Sequence, residues 1–211
     1  MNNDIYSEKF ICNEKYLDFN DVLMLPYSSS LNSRSQVDLE KTIQFKNSTW
    51  TGIPIIAANM TTTGTFEIYD ILSKFKIITA FHKFYKLEDF QNMNNLYENY
   101  FAISTGISND DYNNLTNIVD NKFGGPIKFI CIDIANGYME QLVYFCQKCR
   151  ASFKDIILVA GNVATREMVE ELVINGKVDI VKVGIGPGSA CLTRLKTGVG
   201  VPQLSAIMDC A

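Results

Sequence analysis

The stretch DIILVAGNVATREMVEELVINGKVDIVKVGI, residues 155–185, contains a strand, a helix and a second strand in succession. Its two ends, residues 155–162 and 179–185, are almost continuously apolar rather than alternating between apolar and polar. Continuous hydrophobicity is typical of strands that are buried on both faces, as in parallel sheets. The stretch therefore predicts one strand–helix–strand unit of a parallel sheet.

The middle of this stretch predicts an amphipathic helix. Thr165 can cap its first turn. Asn175-Gly176 can end it, because Asn and Gly tolerate a left-handed conformation. One apolar stripe is expected to face the sheet, and it consists of Met168, Val169, Leu172 and Val173.

The same pattern recurs through most of the chain. Four earlier apolar runs predict strands, at residues 53–59, 77–81, 100–105 and 127–134, and helical patterns follow the first and the fourth, at 64–75 and 137–153. Strands alternating with helices predict an α/β fold with a parallel sheet.

Two architectures of this class are compatible with the pattern, a doubly wound open sheet and a (β/α)8 TIM barrel. Polar residues or glycines follow the carboxyl end of nearly every run, which favours the barrel, because a doubly wound sheet concentrates its site at one switch point. A complete barrel has eight strands and typically about 250 residues. We therefore predict a TIM barrel truncated after about six strands.

The chain is predicted to be a single domain, residues 1–211. Its first fifty residues, with the segments YLDFNDVLMLP and SRSQVDLEKTIQF, predict an N-terminal β-hairpin arm, and residues 51–211 hold the six strand–helix units. An unclosed barrel would expose an edge strand at residues 180–184. We expect that these 211 residues alone neither unfold cooperatively nor show activity.

The composition is that of an ordinary globular protein. The chain has 211 residues, a net charge of −4 and 47% hydrophobic residues, with no basic run of the kind that binds nucleic acid. The polar start MNNDIYSEKF is unlike a signal peptide, and no apolar run reaches the ~20 residues that span a bilayer. These features predict a cytoplasmic protein without membrane or nucleic-acid partners, whose six cysteines are free thiols.

A glycine-rich loop, Gly184-Ile185-Gly186-Pro187-Gly188, follows the last apolar run. Its amides can face a phosphate and its carbonyls can surround a monovalent cation, although an ordinary strand-to-helix turn fits about equally well. Cys191 follows three residues after the end of this loop. A thiolate is a strong nucleophile where positive potential lowers its pKa, and the polar neighbours Thr193 and Arg194 argue against a buried, inert cysteine.

A second cysteine motif, Cys146-Gln147-Lys148-Cys149, has the spacing of zinc and redox sites. The chain has one histidine and no second CxxC motif, and Leu142 lies on the same helical face as both cysteines. The motif therefore predicts core-facing thiols on a helix.

Three further positions bring polar groups to predicted strand ends or loops, and each has a structural alternative. Asp133 follows an apolar run and could accept a hydrogen bond from a ligand or cap a helix. Lys83, after His82, could stabilise an anion. Ser33-Arg34 lies in a polar stretch that could equally be solvated surface.

Together, these segments resemble the IMP dehydrogenase/GMP reductase family, and its reductase branch in particular. The resemblance rests on KVGIGPGSACLTR and KTGVGVPQLSAIMDCA, and on LDFNDVLMLP, SRSQVDLE, GIPIIAANM, GTFEI, ITAFHK, STG, FICIDIANGY and AGNVAT. It extends from about Tyr16 to Ala211. It implies a (β/α)8-barrel oxidoreductase of purine nucleotide salvage that converts GMP to IMP and ammonia with NADPH, in a homotetramer.

The resemblance also implies roles for particular residues. Cys191 would form a covalent thioimidate with carbon 2 of the guanine ring, and Thr193 would donate or accept the proton. Carbonyls of Gly186, Gly188, Cys191 and Arg194 would bind a potassium ion. The NADPH site would be lined by Ser33, Arg34, Lys83, Asp133, Ile134, Ala135, Ile185 and Gly186.

The chain departs from the family pattern at three positions and in its extent. Thr61, Phe84 and Leu192 stand where the family usually has Asp, His and Thr. The last two strands, the phosphate-binding glycines and a glutamate that acts with the threonine have no counterpart in these residues. Two alternatives therefore remain at this point: a catalytically inactive fragment or binding module of this fold, and an IMP dehydrogenase.

Overall fold

The computed structural model describes residues 13–91, 93, 96, 98–121 and 127–211. Its strands are β1 (Lys41–Gln44), β2 (Thr49–Gly52), β3 (Ile56–Ala57), β4 (Ile78–Ala80), β5 (Phe101–Thr105), β6 (Phe129–Asp133), β7 (Ile157–Val163) and β8 (Ile180–Val183). Its helices are α1 (Phe66–Leu72), α2 (Leu87–Gln91), α3 (Asn109–Asp120), α4 (Glu140–Ser152), α5 (Arg166–Glu170), α6 (Thr193–Thr197) and α7 (Gln203–Cys210). No helix in these residues is long and apolar enough to cross a membrane.

Strands β3 to β8 form one parallel sheet in sequence order, with a helix after each strand. All six predicted strands are present, and the predicted α/β class is confirmed. Strand β8 ends the sheet, as predicted for residues 180–184, and β3 forms the opposite edge.

The sheet has a buried cluster on each face. The cluster under the helices includes Phe101, Ile130, Ile132, Leu142 and Leu158. The other cluster lies on the concave face and includes Trp50, Ala102, Phe129 and Val159. Because successive side chains of a strand point to opposite faces, residues two apart along β6 and β8 share the concave face with Phe129 and Ile180.

The N-terminal hairpin differs from the predicted one. Its strands are β1 and β2, paired antiparallel from Lys41 opposite Gly52 to Gln44 opposite Thr49. The segment YLDFNDVLMLP forms a 3₁₀ turn at Phe19–Asp21 and no strand. It was mistaken for a strand because its apolar residues Leu23, Met24 and Leu25 suggest burial, whereas all three are exposed.

The hairpin also crosses the predicted boundary at residue 50. Trp50 of β2 is 3% exposed and packs edge-on against Phe129 with ring centroids 6.1 Å apart. Its indole N–H donates a 2.7 Å hydrogen bond to the carbonyl of Asn99. The hairpin thus closes the end of the concave face near the amino ends of the strands. The division into an arm and six strand–helix units stays a prediction.

The helix after β7 begins and ends where predicted, after Thr165 and at Asn175-Gly176, but the interactions at its two ends differ from the prediction. The hydroxyl of Thr165 caps no backbone N–H and instead accepts a 3.2 Å hydrogen bond from Tyr138. The helix finishes in a π-helical turn, Glu171–Asn175, and the left-handed residue is Lys177 rather than Asn175 or Gly176. The altered winding leaves Val173 46% exposed, while Leu172 is fully buried.

Candidate active site

A cavity of about 730 Å³ opens at the carboxyl ends of the strands. It brings together many residues predicted from separate parts of the sequence: Lys83, Asp133, Ile134, Ala135, Ile185, Gly186, Cys191 and Thr193. The carboxyl ends of β6, β7 and β8 and the loop after β8 form its wall. This is the end of a parallel barrel at which active sites are built.

Two residues predicted for the NADPH site do not reach this cavity. Ser33 and Arg34 are exposed, and they form the start of a 3₁₀ turn, Arg34–Gln36, in the N-terminal arm. The hydroxyl of Ser33 accepts a hydrogen bond from the backbone N–H of Ser35. The cavity of this chain is therefore lined without them.

Cys191 is exposed at the cavity, two residues before α6 begins. Its thiol donates a 3.4 Å hydrogen bond to the hydroxyl of Thr193. Hydrogen bonds from the Thr193 side chain and backbone N–H favour the thiolate and hold the pKa of Cys191 below its ordinary value. The positive charge of Arg194 acts in the same direction. The residue predicted as nucleophile thus has the electrostatic environment of a reactive cysteine.

Arg194 holds the glycine loop in place. Its guanidinium Nε donates to the carbonyl of Ile185 at 3.3 Å, and a second nitrogen donates to the carbonyl of Val201. Side chains at Gly186 and Gly200 would collide with it, since a Cβ atom at these positions would lie 2.6 and 2.7 Å from its Cγ. The glycines therefore allow Arg194 to lie against the loop.

The N-terminal arm reaches the same region through Asp18. One carboxylate oxygen of Asp18 lies 3.3 Å from a guanidinium nitrogen of Arg194, and the other accepts a 2.5 Å hydrogen bond from the backbone N–H of Gln203. A further pair of bonds joins Leu17 and Ser205. The arm thereby ties α6 to α7.

Of the four carbonyls predicted for a potassium ion, those of Gly186 and Gly188 lie in the glycine loop, that of Cys191 follows the loop, and that of Arg194 lies in α6. The carbonyl of Gly188 accepts from the N–H of Cys191 at 2.9 Å, and that of Arg194 accepts from the N–H of Gly198 at 3.0 Å. Each carbonyl oxygen has two lone pairs, so one lone pair remains on each for an ion. Gly186 has a φ of 73°, a left-handed conformation that glycine adopts without strain. These groups are chemically suitable for a monovalent cation.

The cavity also contains groups that the sequence did not predict. Asp111 of α3 lies on its wall with Gly106 and Ser108. Burial acts to raise the pKa of Asp111, but hydrogen bonds from Ser108 and the charge of Lys83 outweigh it, and the pKa lies below its ordinary value. The carboxylate accepts from both the N–H and the hydroxyl of Ser108, at 3.1 and 2.7 Å, so it caps the start of α3.

Lys182 is a second group that the sequence reasoning missed. It pairs with Asp133 and also donates a 3.1 Å hydrogen bond to the side-chain oxygen of Asn59. The sequence does contain a signal for this residue, because Lys182 is a single charged residue within an apolar run that predicts a strand.

The CxxC motif is core, as predicted. Cys146 and Cys149 are both 0% exposed on α4, next to the fully buried Leu142. Burial raises the pKa of each thiol to about 12, which makes them poor nucleophiles and poor metal ligands. Five cysteines of the described residues are free thiols, and no group of three potential metal ligands occurs among these residues.

These features define an α/β protein of the TIM-barrel class, with an exposed cysteine on a glycine loop at the catalytic end. Comparison with protein families makes the assignment specific, because residues 16–211 match the model described as "IMP dehydrogenase / GMP reductase domain". The chain belongs to this family, and the predicted resemblance is confirmed.

Individual relatives agree with this assignment. The chain is 53% identical over 201 residues to a GMP reductase of Buchnera aphidicola (subsp. Acyrthosiphon pisum, strain Tuc7) and 50% identical to human GMP reductase 1. Each alignment covers 92% of the chain and 57% of the relative. The chain therefore spans little more than half the length of these relatives.

A solved structure supports the architecture. The crystal structure of inosine 5′-monophosphate dehydrogenase from Legionella pneumophila superposes with a TM-score of 0.77 and 29% sequence identity. The match covers 93% of this chain and 59% of that one. The six-stranded sheet is thus part of a TIM barrel of this family.

Proposed function

We propose that this protein is a GMP reductase, which converts GMP to IMP and ammonia at the expense of NADPH. The observation that carries the proposal is the placement of Cys191 and Thr193 on the same cavity as Asp133 and Lys83. Relatives named GMP reductase that are about half identical to the chain support the choice of reaction within the family. The pathway served is purine nucleotide interconversion.

Cys191 is the proposed nucleophile. Its thiolate attacks carbon 2 of the guanine ring, and a carbon–sulfur bond forms as the bond from carbon 2 to the amino nitrogen breaks. The leaving ammonia needs a proton, and the Thr193 hydroxyl lies within reach to relay it, 3.4 Å from the sulfur. A covalent thioimidate on Cys191 results.

The second half of the reaction is a reduction. When bound, NADPH supplies the hydride that adds to carbon 2, after which the carbon–sulfur bond breaks and the thiolate is regenerated. Lys83, Asp133, Ile134, Ala135, Ile185 and Gly186 line the cavity and are the proposed contacts of the cofactor. Lys83 supplies positive charge there, which suits an anionic dinucleotide. Ser33 and Arg34 are not assigned to this cavity.

A potassium ion is the proposed partner of the loop carbonyls of Gly186, Gly188, Cys191 and Arg194. Such an ion would fix the backbone of the loop that carries the nucleophile. We further propose that the enzyme is cytoplasmic, that GMP and IMP are its small-molecule ligands, and that it assembles as a homotetramer.

Substrate-dependent oxidation of NADPH tests the function. The protein expressed from its complete reading frame is expected to consume NADPH with GMP, to release ammonia, and to lose both activities in Cys191→Ala. Cys210→Ala is the matched control, because Cys210 lies on α7 outside the cavity and should leave the rate unchanged. Reduction of NAD with IMP, without oxidation of NADPH by GMP, would instead identify an IMP dehydrogenase.

A further inference from the structure

Lys182 and Asp133 form an ion pair on the concave face of the sheet. The ammonium of Lys182 donates to Oδ1 of Asp133, and the two side chains are 23% and 32% exposed. Asp133 is on the cavity wall. Its second oxygen, Oδ2, makes no hydrogen bond with the described residues, so it can accept one from a ligand.

Gly161 makes this pair possible. In the register of the sheet, Asp133 of β6 is opposite Gly161 of β7, and Gly161 is opposite Lys182 of β8. The lysine must therefore cross an intervening strand to reach the carboxylate. A Cβ atom at Gly161 would lie 2.7 Å from Cβ of Lys182 and 2.5 Å from its carbonyl oxygen. Only a residue without a side chain leaves this path open.

Asn59 holds the ammonium of Lys182 from the opposite edge of the sheet. Its side-chain oxygen accepts a 3.1 Å hydrogen bond from Lys182. Asn59 follows β3, and Lys182 lies on β8, so the bond joins the two edge strands of the curled sheet. With two acceptors from different strands, the ammonium has little freedom to leave Asp133.

The pair changes what the cavity can bind. An uncompensated carboxylate on the wall would repel the phosphates of a dinucleotide, and its own desolvation would be costly. Beside Lys182 the charge of Asp133 is balanced, while Oδ2 stays an acceptor for a neutral donor such as a hydroxyl or an amide. Lys83 remains as a separate positive charge on the same wall.

We infer that Lys182 is a positioning residue for cofactor binding, which orients and neutralises Asp133 across Gly161. This inference rests on the proposed function, since it takes NADPH as the ligand of this wall. On this inference, Oδ2 of Asp133 accepts a hydrogen bond from a hydroxyl or an amide of an anionic dinucleotide.

Direct titration with NADPH, followed by cofactor fluorescence, tests the inference without turnover. Lys182→Met keeps the length of the side chain and removes its charge, so the dissociation constant of NADPH should rise about tenfold, as when a charged hydrogen-bond partner is lost. Lys182→Arg should stay close to the wild type. Lys74→Met is the matched control, because Lys74 is exposed and lies outside the cavity.

The Asp133→Asn background separates positioning from a general loss of stability. If Lys182 acts through Asp133, adding Lys182→Met to Asp133→Asn should weaken NADPH binding clearly less than Lys182→Met does alone, because no carboxylate remains to be left uncompensated. If Lys182→Met alone fails to fold, Asp133→Asn with and without Lys182→Met can still be compared. An increase of about tenfold in the NADPH dissociation constant in that background would overturn the inference.

The outcomes separate the inference from the proposed function. A folded Lys182→Met variant that binds NADPH as tightly as the wild type overturns the inference and leaves the reductase assignment standing. A wild type that binds NADPH but does not oxidise it with GMP overturns the reductase assignment. The NADPH titrations of the Lys182 variants then still test the inference. A wild type that does not bind NADPH overturns both, because the proposed reductase also requires this cofactor.

Discussion

The thiol of Cys191 donates a hydrogen bond to the hydroxyl of Thr193, with sulfur and oxygen 3.4 Å apart. The two residues flank the start of α6 and line one cavity. A thiolate at Cys191 can accept from the same hydroxyl and from the backbone N–H of Thr193, which is why its pKa lies below the ordinary value.

The pH dependence of cysteine alkylation follows from this relationship. Only the thiolate reacts, so the rate of iodoacetamide modification of Cys191 should rise with pH around a midpoint below that of an ordinary thiol. Thr193→Ala removes the side-chain donor, which raises the pKa, moves the midpoint to higher pH and slows alkylation several-fold at neutral pH. Thr193→Ser keeps the hydroxyl and should retain the low midpoint. An unchanged profile in Thr193→Ala would assign the low pKa to other groups.

The buried cysteines should be protected in the same experiment. Cys131, Cys146 and Cys149 are at most 3% exposed, and burial raises the pKa of all three. Mass spectrometry after brief alkylation of the native protein should find Cys191 modified and these three unmodified, and all of them modified in urea. Rapid native labelling of Cys146 or Cys149 would contradict their placement in the core.

Asp18 should stabilise the region around the cysteine loop from a distance. Pro202 precedes α7 and provides no side-chain cap, and Asp18 accepts from the N–H of Gln203 in its place. Asp18→Ala is expected to lower the free energy of unfolding by about 1 kcal/mol, the usual cost of losing a helix cap. It should also speed proteolysis between α6 and α7. Asp38→Ala is the control, because Asp38 is exposed and, among the described residues, accepts a hydrogen bond from the nearby N–H of Glu40 rather than from a helix start.

Trp50 should be a major stabilising residue of the closed end of the sheet. Trp50→Ala removes a buried ring from the contact with Phe129 and leaves the carbonyl of Asn99 without its donor. The free energy of unfolding should fall by about 3–5 kcal/mol, as for other large-to-small core substitutions. Urea denaturation of the protein expressed from its complete reading frame, followed by circular dichroism, measures it. Tyr144→Ala, at a position 66% exposed, should cost less than about 0.5 kcal/mol.

Local patterns predicted the repeating units well, because each strand and helix is encoded by its own residues. The continuous apolar runs were sufficient to place all six parallel strands, and helical spacing placed Cys146 and Cys149 in the core. The arm was harder to predict. Leu23, Met24 and Leu25 are apolar but exposed, so hydrophobicity there indicates no strand. The capping bond of the helix after β7 was also predicted wrongly, because the Thr165 hydroxyl accepts from Tyr138 rather than from an N–H of its own helix.

By itself, the sequence determined the α/β class, the order of the strands and the glycine loop that presents Cys191, since all of these depend on neighbours in the chain. The tertiary structure alone decided which distant groups meet. Curling of the sheet brings Lys182 of one edge strand to Asn59 beyond the other, and the missing side chain of Gly161 lets the lysine reach Asp133. Asp18 caps a helix that begins 185 residues later. Such contacts depend on strand register and curvature, which no local pattern encodes.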